Sequence, residues 1–282
     1  MLKSVTEATK PFLKRRIVIS VVVALTLLLT IAPAAFAAPR ATLVGPKHYY
    51  LALGDSLAFG YQPDLNYDDG YASDFYANLR AHGVSSIADM GCPGETSSTM
   101  INGGCPVPFL RKYPYIGPQL NAALIYLALL RGQVSPVTLD IGANDFLPLI
   151  NSSTCAINVS AFNNAMATLD YNLRQIILPE LHAALTVNGQ LTGDIVMMNY
   201  YDPLQNKCPN TVPYVESVNQ HLTADASGYA TIVDVFGAYG GATTPNPNIC
   251  SYTWECSIFH DVHATDKGYS VIASTFEQGT GY

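Results

Sequence analysis

Tyr49-Tyr50-Leu51-Ala52-Leu53-Gly54-Asp55-Ser56-Leu57 is the stretch whose reading decides the fold. A short apolar run that stops at a glycine is what a buried strand looks like. The same signature returns over residues 137–141, 195–199 and 231–236, and more faintly over 85–90. Helical patterns lie between these runs. Leu120, Leu124, Leu127 and Leu130 share one helix face, as do Phe162, Met166, Leu169, Leu173 and Ile176 before Pro179 interrupts. Residues 212–222 form a weaker helix. A last helix over 266–276 has Thr265 as N-cap and Tyr269, Ile272 and Phe276 facing inward. Strands alternating with helices predict an α/β chain with a parallel sheet covered on both faces. In such a sheet the ligand site lies outside the carboxyl ends of the strands. Gly54-Asp55-Ser56-Leu57, Gly142-Ala143-Asn144-Asp145 and the loop from Gly91 to Gly104 all fall there.

Upstream, Lys3, Lys10, Lys14, Arg15 and Arg16 precede an uncharged apolar run over residues 17–31, and then Ala35-Phe36-Ala37. Basic region, apolar core and Ala-x-Ala site are the parts of a secretory signal peptide. The apolar run is shorter than a comfortable bilayer span. The expected division is therefore a leader over residues 1–37 and one α/β domain over 38–282, secreted, with no membrane span after cleavage. Five of the 14 basic and one of the 21 acidic residues lie in the leader, so the remainder carries nine and 20, net −11. Such a surface repels phosphate backbones, which excludes nucleic acid as a partner. No internal repeat or low-complexity linker divides the domain.

All six cysteines follow the leader. An even count in an exported chain reads as disulfides. Nearest-neighbour pairing closes the shortest loops: Cys92–Cys105, Cys155–Cys208 and Cys250–Cys256. A metal site is disfavoured, since no Cys-x2-Cys pair occurs and no histidine sits at ligand spacing beside the cysteines.

Three features carry chemistry. Ser56 lies two residues beyond a strand end, after a glycine that permits a tight turn; a serine nucleophile needs a base within hydrogen-bond reach. Gly94-Glu95-Thr96 and Gly142-Ala143-Asn144-Asp145 offer N–H donors of the kind acyl transfer requires for its oxyanion. His263, in His260-Asp261-Val262-His263, suits a general base and acid, with His260 as its competitor. His48, His82, His182 and His221 have no supporting context.

Ser56 in Gly-Asp-Ser-Leu, Gly94 in Pro-Gly-Glu-Thr, Asn144 in Gly-Ala-Asn-Asp and His263 occur in that order across nearly all of residues 38–282. They resemble the four blocks of the SGNH hydrolases, also called GDSL lipases and esterases. The resemblance implies a flavodoxin-like three-layer α/β/α sandwich around about five parallel strands. It also implies Ser56 as nucleophile, His263 as base, and an oxyanion hole from the N–H of Ser56, the N–H of Gly94 and the Asn144 side chain. The family usually has aspartate three residues before the histidine, but here that position is His260. Either Asp261, two residues before, reaches the ring from an extended segment, or the His260 carbonyl accepts the Nδ1–H; Asp261 leads. The Gly-x-Ser-x-Gly elbow of the α/β-hydrolases is absent, since Ala58 stands where its last glycine would be.

Asp55 and Asp145 are expected to buttress loops. Cys92–Cys105 would stiffen the oxyanion loop, and Cys250–Cys256 the turn around Trp254. Trp254, Tyr252 and Phe259 would line an acyl pocket or join the core. The expected protein is a monomeric ester hydrolase acting on a small-molecule or lipid ester through a Ser56 acyl-enzyme, with no cofactor and no metal. A carbohydrate-ester deacetylase of the same fold is the alternative, as is an exported surface or binding protein with a crippled site.

Overall fold

A computed structural model describes residues 43–282; the expected leader lies outside the described residues. The runs read as strands form one parallel sheet. Its members are β1 (Tyr49–Gly54), β2 (Ser86–Asp89), β3 (Val134–Asp140), β4 (Ile195–Met198) and β5 (Thr231–Val233). Their spatial order is β2-β1-β3-β4-β5. β1 pairs in parallel with both β2 and β3. β4 pairs with β3 and with β5. Every residue of β3 and β4 is buried, as is β1 beyond its first residue. Burial on both faces is why these strands read as continuous apolar runs instead of alternating.

Helices cover the sheet on both sides. On one, α2 (Tyr71–Leu79) packs against the C-terminal helix α9 (Asp266–Thr280). The Tyr71 and Phe276 rings stack there at 5.0 Å. Thr265 caps α9 through Gly268 N–H, and Tyr269, Ile272 and Phe276 are fully buried, as expected. On the other side lie α4 (Gln119–Leu129), α6 (Val159–Asn172), α7 (Leu178–Leu185) and α8 (Val212–Ala226). Three single-turn or two-turn helices, α1 (Ser56–Phe59), α3 (Ser97–Asn102) and α5 (Ala143–Phe146), follow β1, β2 and β3 at their carboxyl ends. The fold is thus a three-layer α/β/α sandwich.

Three differences from the sequence reading have a local physical cause. β3 begins at Val134, three residues early, because the pairing of β1 with β3 slips between Tyr49 and Leu51. The slip accommodates Pro136, which has no N–H to give the ladder. Pro179 does not end a helix. The chain passes from α6 through a π-helical turn, Leu173–Ile177, into α7, where Pro179 occupies the first turn and its missing N–H costs little. β5 stops at Val233 because Asp234 turns the chain, its carboxylate accepting Gly237 N–H at 2.9 Å.

The cysteines pair as nearest neighbours: Cys92–Cys105, Cys155–Cys208 and Cys250–Cys256. The strand order reverses between β1 and β3, and the carboxyl ends at such a reversal open a crevice.

Candidate active site

The crevice begins at the β1–α1 turn. Gly54 has φ +141°, and a Cβ there would lie 2.2 Å from the Asp140 carbonyl at the end of β3. Only glycine permits this approach. The buried Gln119 amide clamps the turn from α4: its Oε1 accepts Gly54 N–H at 2.8 Å and its Nε2 donates to Gly54 O at 2.8 Å. Asp55 then caps α1, accepting Leu57 N–H at 2.9 Å, and Ser56 opens that helix. Beneath, Asp140 accepts the N–H groups of Asp55 and Ala58 and the Tyr71 hydroxyl. Burial pushes the carboxyls of Asp55 and Asp140 up, Asp140 well above the usual range with the Asp55 charge adding to the effect.

His263 reaches Ser56 from the segment before α9. Its Nε2 stands 2.8 Å from Ser56 Oγ, and its Nδ1 2.5 Å from Asp261 Oδ1. The same carboxylate oxygen accepts the backbone N–H of His263 at 2.8 Å. With Nδ1–H donated to Asp261, Nε2 is left as acceptor for the serine hydroxyl. Burial opposes the Asp261 anion, yet the hydrogen bond and charge of His263 outweigh it and hold the carboxyl below its usual range. The histidine backbone is fixed as well: Trp254 N–H donates to His263 O at 3.0 Å, and Tyr201 hydroxyl to Val262 O at 2.9 Å. The Tyr61 ring lies against the imidazole, centroids 4.6 Å apart. Asp261, and not the His260 carbonyl, is therefore the partner of Nδ1. His260 points elsewhere, its own Nδ1 lying 3.1 Å from Glu255 O.

The expected oxyanion donors are partly brought together. Ser56 and Asn144 line one cavity with His263. Asn144 Nδ2 donates one N–H to Glu95 O at 3.0 Å, which ties the Gly94 loop to α5 and leaves its second N–H free. Gly94, at φ +84°, is not on the cavity wall. That loop is held by Cys92 N–H on Gly54 O, by the Cys92–Cys105 bridge, and by Asp145, which accepts the N–H and hydroxyl of Ser97 at 2.9 and 2.6 Å. Asp55 and Asp145 are thus buttresses.

The cavity measures about 80 Å³ and its remaining wall is apolar, chiefly Leu57, Phe146, Leu147, Tyr200, Tyr201 and Val262. Tyr252, Trp254 and Phe259 take no part in it. Trp254 is half-buried, neither pocket nor core, and its Nε1 donates to Gln62 Oε1 at 3.1 Å. The residues missed in the sequence, Tyr200 and Tyr201, follow β4 directly, so their place after a strand end was the available signal. Among the described residues, one cluster of metal-ligating types occurs, Cys92, Glu95 and Cys105, and its sulfurs are joined in a disulfide, which removes the thiolates a metal would need.

A sequence model of the GDSL-like lipase/acylhydrolase family matches residues 52–271. No curated protein matches the sequence. Among solved structures, the acetylxylan esterase Axe2 of Geobacillus stearothermophilus is 15% identical, covering 85% of this chain and 96% of its own with a TM-score of 0.55. The lipase Lip_vut3 from a goat rumen metagenome is 16% identical, covering 82% and 96% with a TM-score of 0.57. At these identities the likeness is one of fold.

Proposed function

The chain belongs to the GDSL-like lipase/acylhydrolase family, and from that premise we propose that it is a secreted carboxylic ester hydrolase working through an acyl-enzyme on Ser56. The observation that carries this reading is the unbroken line Ser56 Oγ–His263 Nε2 and His263 Nδ1–Asp261 Oδ1 at 2.8 and 2.5 Å. His263 Nε2 takes the proton of Ser56 as Oγ bonds to the ester carbonyl carbon. The tetrahedral oxyanion is stabilised by Ser56 N–H and the free N–H of Asn144. On collapse the C–O bond breaks and His263 returns its proton to the leaving alcohol. A water then attacks the acyl-serine by the same relay and releases the acid. Because Asp261 supplies the carboxylate that the sequence pattern lacked at position 260, the motive for a crippled binding protein falls away.

A cavity of about 80 Å³ with apolar walls suits a short acyl group. The test is hydrolysis of p-nitrophenyl esters from acetate to dodecanoate. Acetate to butyrate should lead, and Ser56→Ala should lose about 10³-fold or more in kcat/KM; equal rates for the two proteins on every ester would sink the enzyme reading. Secretion is supported by the leader sequence and three disulfides. The exported protein is expected to begin at Ala38.

A further inference from the structure

Helix α1, which Ser56 opens, ends at Gly60, where the chain takes the left-handed conformation at φ +77°. Gly60 N–H donates to Leu57 O at 3.1 Å, and Tyr61 N–H donates to Ser56 O at 2.9 Å. Together they close a Schellman motif, and the second bond ties Tyr61 to the backbone of the nucleophile itself. From α9 the Tyr269 hydroxyl donates to Tyr61 O at 2.8 Å. The ring so placed lies against the imidazole of His263, with centroids 4.6 Å apart and planes at 52°. Behind it Tyr67 stacks at 5.6 Å, and Phe59 packs on Tyr67 at 5.1 Å. This ladder of rings holds Tyr61 on the histidine.

The reaction changes the charge of that imidazole. His263 is neutral when it accepts the Ser56 proton and cationic while the tetrahedral species lasts, in acylation and deacylation alike. Its two nitrogens are engaged, Nδ1 by Asp261 and Nε2 by Ser56. The faces of the ring remain, and the side chain is only 20% exposed, so water solvates them poorly. The face of an aromatic ring carries the negative part of its quadrupole. A cation within about 6 Å of the centroid is attracted to it, the more so where water is excluded. A contact that strengthens only once the proton has moved lowers the barrier and leaves substrate binding alone. An aliphatic side chain of similar bulk would fill the same space without telling the two charge states apart.

We propose that Tyr61 is a positioning residue of the acyl transfer, its ring face stabilising the His263 imidazolium that forms as Ser56 attacks. The proposal rests on the ester-hydrolase reading and adds a group to its machinery. The experiment replaces Tyr61 by leucine, by phenylalanine, and by phenylalanines with ring fluorines in increasing number, and follows hydrolysis of p-nitrophenyl butyrate. Tyr61→Leu should lower kcat about fivefold or more with little change in KM. Tyr61→Phe should recover most of that loss. Each added fluorine withdraws charge from the ring face with almost no change in size, so log kcat should fall step by step along the series. A purely structural contact would give equal rates across the fluorinated proteins, and that result overturns the proposal. So does a folded Tyr61→Leu protein as fast as Tyr61→Phe. The fluorinated proteins differ least in shape and decide the matter alone if Tyr61→Leu folds poorly. The two readings fail separately. Hydrolysis that ignores the ring series removes the role of Tyr61 only, whereas no hydrolysis by the unaltered protein removes the enzyme and this proposal with it.

Discussion

Asp261 reaches its imidazole from two residues away, because alternate residues of an extended segment share a side. One of its oxygens serves both the ring and the backbone N–H of His263. That double grip fixes the tautomer as well as the ring's position. Asp261→Asn should therefore lower kcat by about 10²-fold or more with little change in KM, since an amide in that place can present an N–H to Nδ1 and select the wrong tautomer. Near-full activity in this variant would instead assign the orientation of His263 to the protein backbone. Gln119 plays a different part, since it touches no reacting atom yet holds both polar groups of Gly54. Gln119→Leu leaves the buried Gly54 N–H without a partner, while Gly54 O keeps the Cys92 N–H, an expected loss of roughly 1–3 kcal/mol in urea unfolding. A loss under about 0.5 kcal/mol would show that water replaces the clamp.

Among the elements, the disulfides divide by the length of chain they close. Cys155–Cys208 spans 53 residues and Cys250–Cys256 only six. Loop-closure entropy gives about 4 kcal/mol for the first and about 2 kcal/mol for the second. The short bridge nevertheless lies beside the turn whose Trp254 N–H holds the His263 carbonyl. Replacing Cys155 and Cys208 by serine should lower Tm the more, whereas replacing Cys250 and Cys256 should lower kcat the more. The reverse ranking in both measurements would refute this division. The elements legible in the sequence were those whose signal is local. β1 and β4 are apolar runs, β2 is a fainter one, and α9 shows cap and face alike. The start of β3 was hidden by Pro136, whose tolerance depends on a register slip against a strand more than 80 residues earlier. The α6–α7 junction was hidden because a π turn leaves no compositional mark. For the site, Ser56, Asn144 and His263 were legible through their short motifs. The acyl-pocket wall was not, since Phe146 comes from α5 after β3 and Tyr200 and Tyr201 from the loop after β4, and only tertiary packing unites them.

Across the whole molecule, buried carboxyls set the dependence of stability on pH. Burial pushes Asp89 and Asp202 up to about 6. Burial, and then the neighbouring Asp170 charge, pushes Asp225 up to about 7. In the unfolded chain such groups titrate near 3.8. Between these values the folded protein holds protons that the unfolded chain has already released, so stability falls as pH rises through the window from about 4 to about 7. Asp261 runs the other way: its lowered carboxyl contributes stability above the unfolded value and loses it only in stronger acid. One such group opposes several. The net charge of −11 over residues 38–282 adds self-repulsion as the carboxyls ionise. Tm should accordingly be higher at pH 5 than at pH 8, by about 5 °C or more, with the disulfides intact at both. Asp202→Asn isolates one contribution. An amide keeps an oxygen for Leu204 N–H, which Asp202 Oδ1 accepts at 3.0 Å, and carries no charge to be desolvated. Its Tm should fall less between the two pH values than that of the unaltered protein. A Tm that is flat or rises from pH 5 to pH 8 would mean that these buried carboxyls ionise in the folded protein at no cost, which their burial forbids.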